Sequence, residues 1–274
     1  MAITEAERPE QGNITISERV TKPELPLVRR FEAAGFRAWP AASVQYDGTW
    51  LIRLNAGYPA KRLNSVNPLD PGDTGDLDGR IKQAGRVFEA CGRPLTFRLS
   101  PLSGEVVPRH LAACGWRTFG ESAVMQMPLD ESGVTHAIHQ IPLRDVGRFI
   151  TAAMHIKALD PALRPGLSEI VGSIRPETGL FVLEEGDEPV ATAICVHDGD
   201  LAGFFEVATV AAERGKGHAR RIVLSALKWA HSRGARKAWL QVEADNDAAW
   251  ALYSSLGFSA AYSYRYARPD TEAG

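Results

Sequence analysis

Hydrophobic and polar positions along the second half of the chain follow strand-like and helix-like periods in turn. The apolar segment 201–210 (LAGFFEVATV) predicts a strand, and the segment 220–233 predicts a helix. The segment 236–243 alternates with period two, 246–257 has helical periodicity, and 259–267 alternates again. The pattern predicts an α/β arrangement in which a glycine-containing turn joins the first strand to the first helix.

Further elements follow from capping residues and periodicity. Asp245 or Asn246 is suited to the N-cap of the last predicted helix, and Gly257 to the position after its end. The segment 144–157 (RDVGRFITAAMHIK) carries an apolar stripe at helical spacing and predicts an amphipathic helix. The segment 136–143 (HAIHQIPL) resembles a strand, so its two histidines would face opposite sides and are not spaced as metal ligands.

The first half of the chain repeats the pattern of the second. Residues 80–120 and 221–261 both predict helix, strand, helix and strand in that order, and internal repeats of this kind set the architecture. The aligned pairs are Arg80-Ile81 with Arg221-Ile222, Gly92 with Gly234, and Gly115-Trp116 with Gly257-Phe258. We therefore expect two tandem copies joined near residues 128–133 (PLDESG).

The loop 214–219 (RGKGHA) has the composition of a phosphate-binding turn. It lies between a predicted strand and a predicted helix, where free N–H groups and the helix dipole favour an anion. Two glycines allow a phosphate to approach the backbone closely. The P-loop pattern is absent, and Arg220 stands where a dinucleotide-binding loop would need a third glycine. The loop predicts a pyrophosphate cradle.

Two motifs carry a family resemblance. Arg214, Gly217 and Ala219 fit the pattern [RQ]-x-x-G-x-[GA], which resembles the coenzyme A loop of the GNAT superfamily of N-acetyltransferases. The segment 246–258 (NDAAWALYSSLGF) is similar to the second GNAT signature, N-x-x-[AS]-x-x-[LF]-Y-x-x-x-G-F. Both occur in the family's order, and the resemblance covers residues 133–266.

The resemblance implies two tandem GNAT-like domains, each a central mixed, mainly antiparallel sheet flanked by helices. It also implies acetyl-CoA as cosubstrate, direct attack by an amine in a ternary complex, and no metal. Tyr253 would be the general acid that protonates the leaving thiolate. The residues implied in coenzyme binding are Val207, Ala208, Thr209, Arg214, Gly215, Lys216, Gly217, His218, Ala219, Arg220 and Asn246.

The general base is left open by the sequence. Many family members carry a glutamate five residues before the motif asparagine, where this chain has Gln241. Glu206 and Glu243 are the alternatives, acting directly or through water. Glu206 is preferred because it interrupts an apolar stretch, and an apolar cleft would raise the pKa of its carboxyl group. The competing interpretation is that Glu206 points to solvent from an alternating strand.

The first copy lacks the chemistry of the second. The loop aligned with the cradle, residues 70–76 (DPGDTGD), holds three aspartates that would repel a pyrophosphate. Gly104 lies opposite Asn246, and Leu111 lies opposite Tyr253. We expect that this copy binds no coenzyme and serves as a packing partner that shapes the acceptor cleft. Its loop 58–68 contacts substrate or, as we favour, is a proline-rigidified connection.

The sequence therefore predicts three parts: a polar arm at residues 1–22, a degenerate GNAT-like domain at 23–130 and a catalytic GNAT domain at 131–274.

The composition of the chain limits the kinds of partner that it is expected to bind. Lys and Arg total 31 against 33 for Asp and Glu, a net charge of −2 that does not favour nucleic acid. No apolar run approaches the length of a membrane span. The three cysteines form no CxxC pair, and their apolar contexts predict buried thiols in a reducing compartment. We expect a cytoplasmic monomer or homodimer.

Two functional hypotheses follow. The first is an N-acetyltransferase that moves acetyl from acetyl-CoA to a primary amine of a small-molecule or peptide acceptor. The alternative is a non-catalytic acyl-CoA-binding or sensor module that keeps the cradle without turnover. A nucleotide-binding regulator using the basic loop is a weaker third. Retention of Tyr253 favours the enzyme, and Gln241 at the usual position of the base favours the sensor.

Overall fold

The computed structural model describes residues 23–135 and 137–270. The predicted arm at residues 1–22 and the histidine at position 136 lie outside the described residues. The helices are α1 (Leu25–Ala38), α2 (Leu77–Ala90), α3 (Val106–Ala113), α4 (Val146–Lys157), α5 (Arg164–Gly172), α6 (His218–Ser232) and α7 (Asp247–Ser255). The strands are β1 (Ser43–Asp47), β2 (Trp50–Leu54), β3 (Ser65–Pro68), β4 (Phe97–Leu99), β5 (Trp116–Pro128), β6 (Glu177–Glu185), β7 (Glu188–Asp198), β8 (Leu201–Thr209), β9 (Lys237–Glu243) and β10 (Ser259–Pro269).

One ten-stranded sheet runs through the described chain in the order β1-β2-β3-β4-β10-β5-β9-β8-β7-β6. The β3–β4 and β8–β9 pairs are parallel, and the other neighbouring pairs are antiparallel. Helices flank the sheet. The predicted α/β class with a mixed, mainly antiparallel sheet is confirmed, and the sheets of the two halves join edge to edge.

The two halves exchange their last strands. The strand β5 of the first half lies between β9 and β10, pairing Ser122–Pro128 with Lys237–Glu243 on one side. The strand β10 of the second half lies between β5 and β4. Each half therefore completes the sheet of the other. The boundary near residue 130 stays a prediction, but β5, just before it, is hydrogen-bonded to both β9 and β10 beyond it.

The glycines aligned from the sequence end equivalent helices. Gly92 follows α2 with φ +63° and Gly234 follows α6 with φ +99°. Gly115 follows α3 with φ +76° and Gly257 follows α7 with φ +96°. Left-handed glycine is a common way to end a helix. The repeat seen in the sequence thus corresponds to the same succession of helix, turn and strand in each half.

The sheet divides the hydrophobic core into two layers, and helices cover each of them. α2 and α3 cover the first half on the same face on which α6 and α7 cover the second. The opposite face carries α1, α4 and α5 over one shared cluster. In that cluster Phe31 of α1 stacks on Trp239 of β9 at 5.9 Å, and Trp39 stacks on Phe205 of β8 at 5.5 Å. The first half therefore buries its leading helix against the strands of the second.

Two local expectations were wrong. The predicted strand at 136–143 is not formed in its described part, where Leu143 alone makes an isolated bridge, to Leu180. The three thiols are free but not all buried, since Cys195 is buried, Cys91 is partly buried and Cys114 is exposed.

Within residues 23–135 and 137–270, none of the helices has the length and apolar character required to cross a membrane.

Candidate active site

A bulge at Glu206 opens the sheet between β8 and β9. Parallel pairing of these strands extends only from Leu201–Lys237 to Phe204–Leu240. Beyond it, Glu206 adopts φ +51°, and the β7–β8 register shifts at this point. A non-glycine residue in this conformation is uncommon, and bulges bend the strand that carries them. The backbone of Val207, Ala208 and Thr209 therefore diverges from β9 while β8 stays paired with β7 as far as Thr209.

The turn after β8 leaves the N-terminus of α6 open. Gly215 has φ +80° and Gly217 has φ +85°, and no atom lies within 4 Å of the place a Cβ would take at either. Gly217 is the N-cap of α6 and supplies no side-chain cap. Because the first N–H groups of a helix lack partners within the helix, they point at an approaching anion. The turn therefore leaves free helix N–H groups beside open space, and its role as a pyrophosphate cradle stays a prediction.

The basic residues of the turn play unequal parts. Arg214 lines the open space, and its guanidinium makes no hydrogen bond or ion pair with another described residue. Arg220 also lines it while donating to the hydroxyl of Ser255 at 3.0 Å. Lys216 does not line it, and its ammonium is 2.8 Å from a carboxylate oxygen of Glu213. Of the predicted cations, Arg214 and Arg220 are therefore the ones placed to meet phosphates.

Asn246 and Tyr253 lie on one face of α7. The side-chain oxygen of Asn246 accepts from the backbone N–H of Ala249 at 3.1 Å, which makes Asn246, and not Asp245, the N-cap. The Tyr253 side chain is buried, its ring lies edge-on to Phe258 at 5.8 Å, and burial raises its pKa to about 12. A phenol with this pKa stays protonated at neutral pH, as a proton donor must.

One cleft of about 880 Å³ brings these elements together. The predicted residues that line it are Val207, Ala208, Thr209, Arg214, Gly215, Gly217, His218, Ala219, Arg220, Asn246 and Tyr253. Lys216 and Glu206 do not line it. The end of α4, with Ile156, Lys157 and Ala158, completes the wall. The family resemblance implies that the helix at 144–157 and the segment after it wall the acceptor site. The sequence does not single out these three residues, since nothing in the helix pattern of α4 indicates which strand its last turn meets.

The environment expected for Glu206 was wrong. Its side chain is only 9% exposed, but one carboxylate oxygen is 2.6 Å from the ammonium of Lys157 instead of facing an apolar cleft. Glu243 is 65% exposed and 3.9 Å from Lys61. The amide oxygen of Gln241 accepts from the hydroxyl of Tyr264 at 2.8 Å. A basic role for Glu206 stays a prediction, and it would require the pair with Lys157 to loosen.

The aligned loop of the first half is closed by its own side chains. Asp76 caps α2 by accepting from the N–H of Gly79 at 3.2 Å. Asp73 accepts from the N–H of Thr49 and from Arg80, both at 2.8 Å, and these bonds lower the pKa of its carboxyl group to about 2. Carboxylates thus occupy the region that a phosphate would need. That this half binds no coenzyme stays a prediction.

A second group of polar side chains lies outside the cleft. Asp78, His110 and Cys114 place one potential ligand atom each within 4.8 Å of one another, on the α2–α3 surface. His110 Nε2 and Asp78 Oδ1 are 2.8 Å apart, which an ordinary surface hydrogen bond explains. The trio is remote from the residues that line the cleft, and the absence of a catalytic metal stays a prediction.

The splayed strand, the open helix N-terminus and the buried tyrosine, all on one mixed sheet, define a GNAT-type acetyltransferase. Residues 27–267 match the family described as "Probable histone acetyltransferase Rv0428c C-terminal", and the chain belongs to this family. The match spans both halves. The resemblance predicted from the two sequence motifs is therefore confirmed.

Known proteins are similar over nearly the whole chain. The uncharacterized N-acetyltransferase YobR of Bacillus subtilis (strain 168) is 26% identical over 87% of this chain and 97% of its own length. A GCN5-related N-acetyltransferase from Kribbella flavida superposes with TM-score 0.65 at 17% identity, covering 89% of this chain and 96% of the other. A tandem GNAT protein from the clavulanic acid biosynthesis pathway superposes with TM-score 0.55 at 14% identity, over 93% and 91%. These structures share the fold.

Proposed function

We propose that the protein transfers the acetyl group of acetyl-CoA to a primary amine by direct attack within a ternary complex. The observation that carries the proposal is the single cleft that joins the open N-terminus of α6, the splayed backbone of β8 and the largely buried side chain of Tyr253. Arg214, Arg220 and the first N–H groups of α6 would hold the coenzyme phosphates. The unpaired side of Val207–Thr209 would hydrogen-bond the pantetheine amides.

The chemistry needs two proton transfers. The amine nitrogen forms a bond to the acetyl carbon, the carbon–sulfur bond breaks, and the thiolate takes a proton. Tyr253 is the donor that the cleft supplies for the thiolate, since burial keeps its hydroxyl protonated. The amine proton would leave to Glu206, to Glu243 or through water. No acyl-enzyme is needed.

Calorimetric titration with acetyl-CoA tests the cradle. We expect one site per chain, because the second half has an open helix N-terminus and the first half has a loop closed by aspartates. Gly217→Asp should abolish binding, because a carboxylate would then occupy the phosphate position. Gly92→Asp is the matched control, a left-handed glycine with open space around it in the first half, and should bind normally. Two equivalent sites, or unchanged binding by folded Gly217→Asp, would refute the cradle.

A non-catalytic acyl-CoA-binding module is the second candidate. Gln241 at the usual position of the base, and the pairing of Glu206 with Lys157, are the observations that favour it. Thiol release from acetyl-CoA with a panel of primary amines separates the two candidates. Stoichiometric binding without amine-dependent release would assign the module, and amine-dependent release would assign the transferase.

A further inference from the structure

A small pocket lies where the two halves meet, beside the point at which β8 and β9 separate. Phe205 and Gln241 line it, and they are the first residues beyond the last β8–β9 pair, Phe204–Leu240. The first half contributes side chains of α1, β2, β4 and the loop after β2. Its volume of about 20 Å³ is enough for one water-sized polar group and too small for a whole molecule.

Three arginines and one glutamate line this pocket, so its charges do not balance. Arg98 is ion-paired with Glu32, both 4% exposed, and Glu32 also accepts from the hydroxyl of Tyr262 at 2.7 Å. That pair is neutral. Arg53 is 3% exposed and donates to backbone oxygens only, to that of Arg62 at 2.7 Å and to that of Trp39. Burial, with the charge of Arg98 adding to it, lowers the pKa of Arg53 to about 9.

Arg62 adds a second cation without an anionic partner. Among the described residues its guanidinium makes no hydrogen bond or ion pair, and it lies over the rings of Trp39 at 5.9 Å and Phe205 at 6.0 Å. These two rings stack nearly parallel, with an interplanar angle of 4°. Cation–π contact with these two rings restrains the guanidinium of Arg62 and leaves its N–H donors without partners among the described residues. The planar fork of an arginine matches a carboxylate in two parallel hydrogen bonds.

Arg62 and Glu206 influence the same side chain. Tyr58 is buried, and burial is the main reason why the pKa of its hydroxyl is raised. The negative charge of Glu206 raises this pKa further, and the positive charge of Arg62 lowers it. Both groups therefore lie within electrostatic range of one phenol. Glu206 is itself paired with Lys157, so Arg62 is the charge of this region that has no ionic partner among the described residues. An amine that also carries a carboxylate would supply the missing anion.

We propose that this pocket is the carboxylate subsite of the acceptor and that Arg62 binds it, so that the acceptor is a small amine bearing a carboxylate, as in an amino acid. The inference rests on the proposed acetyl transfer. The pocket has room for one oxygen of a carboxylate, a planar and singly charged group that can meet Arg62 at the pocket, whereas a phosphate is bulkier. The first half would thereby supply the residue that selects the acceptor, while the second half holds the coenzyme.

Matched acid and amide acceptors test the subsite. Glycine with glycinamide, and 4-aminobutyrate with its amide, differ only at the group that Arg62 would bind. We expect kcat/KM for thiol release to favour the acid about tenfold or more, the size of effect typical of a charged hydrogen bond. The amide has the less basic amine and more free base at a given pH, so amine ionisation cannot produce this preference.

Variants at Arg62 test whether this side chain causes the preference for the acid over the amide. Arg62→Gln should raise KM for the acid about tenfold and leave kinetics with the amide unchanged, and Arg62→Lys should keep part of the preference. Arg86→Gln is the matched control, since it removes an exposed arginine of α2 that lines neither the pocket nor the cleft. Circular dichroism melting verifies that each variant is folded.

The outcomes separate the subsite from the transferase. Equal turnover of acid and amide, or a folded Arg62→Gln protein that keeps the preference, would overturn the subsite and leave the acetyl transfer standing. If no amine stimulates thiol release, the transferase fails, and calorimetry of the same acid and amide against the CoA-bound protein decides the subsite. Binding of the acid that Arg62→Gln abolishes would support the subsite, and equal or absent binding of both would overturn it.

Discussion

Because the two halves exchange strands, we expect removal of the first half to have the largest effect on the stability of the protein. A fragment of residues 131–274 lacks β5, which lies between β9 and β10 in the sheet. Without it, β9 and β10 lose the strand that pairs with both of them. The fragment also lacks α1, so that Trp239 and Phe205 lose their aromatic partners Phe31 and Trp39.

The size of this loss follows from the buried side chains of β5. Val124, Met125 and Met127 are 0%, 1% and 7% exposed. Burial of a side chain of this kind is worth about 1.5–3 kcal/mol, so the three together contribute roughly 5–9 kcal/mol. The net stability of a domain is about 5–15 kcal/mol. Loss of β5 alone would therefore consume most of the stability of the second half, and unpaired strand edges would favour association.

Thermal unfolding followed by circular dichroism, together with gel filtration, measures the effect. We expect the 131–274 fragment to be aggregated or to melt without cooperativity. A fragment of residues 114–274 is the matched control, because it restores β5 without the rest of the first half, and it should recover part of the ordered structure. If the 131–274 fragment is monomeric, melts cooperatively and binds acetyl-CoA like the full chain, the exchanged strand does not support the second half.

Three further predictions concern single side chains. Tyr253→Phe should lower kcat about 10²–10⁴-fold with acetyl-CoA affinity kept, because only the proton donor is removed; steady-state kinetics at the wild-type rate would exclude Tyr253 as the acid. Glu206→Gln should remove the acidic limb of the pH profile of kcat/KM, and an unchanged profile would transfer the basic role to Glu243 or to water. Asp73→Asn should lower the melting temperature at neutral pH. The folded pKa of about 2 lies below the ordinary 3.8, so the stabilisation by Asp73 is present above about pH 4 and is lost as the pH falls towards 2. A difference in melting temperature that does not change with pH would contradict this origin.

The parts of the site that lie close together in sequence could be predicted from it. The cradle at residues 214–219 and the face of α7 from Asn246 to Tyr253 are each set by one turn or one helix. Local glycines and caps therefore indicate their geometry directly. The acidic loop of the first half belongs to the same kind of inference, because Asp76 lies directly before the helix that it caps.

The remainder depends on contacts between distant segments. The Lys157–Glu206 pair joins residues 49 positions apart, and alternation in 201–210 does not indicate which helix end reaches the carboxylate. The same limit applies to β5, since a period of two identifies a strand and its faces but not its neighbours. The sequence alignment correctly matched β5 with β10 as equivalent strands. It did not predict that each of them is inserted into the sheet of the other half.

Strand exchange gives a physical reason for a copy without coenzyme chemistry to remain in the chain. The first half caps its own helix N-terminus with Asp76, so its packing does not depend on a bound phosphate. The first half contributes β5 to the sheet of the second half. Its helix α1 and the residue that follows it pack against Trp239 and Phe205. These contacts fix the two strands whose separation forms the cleft. A change in the first half is therefore expected to alter acceptor use before coenzyme binding, because its side chains border the point where β8 and β9 part and not the cradle at α6.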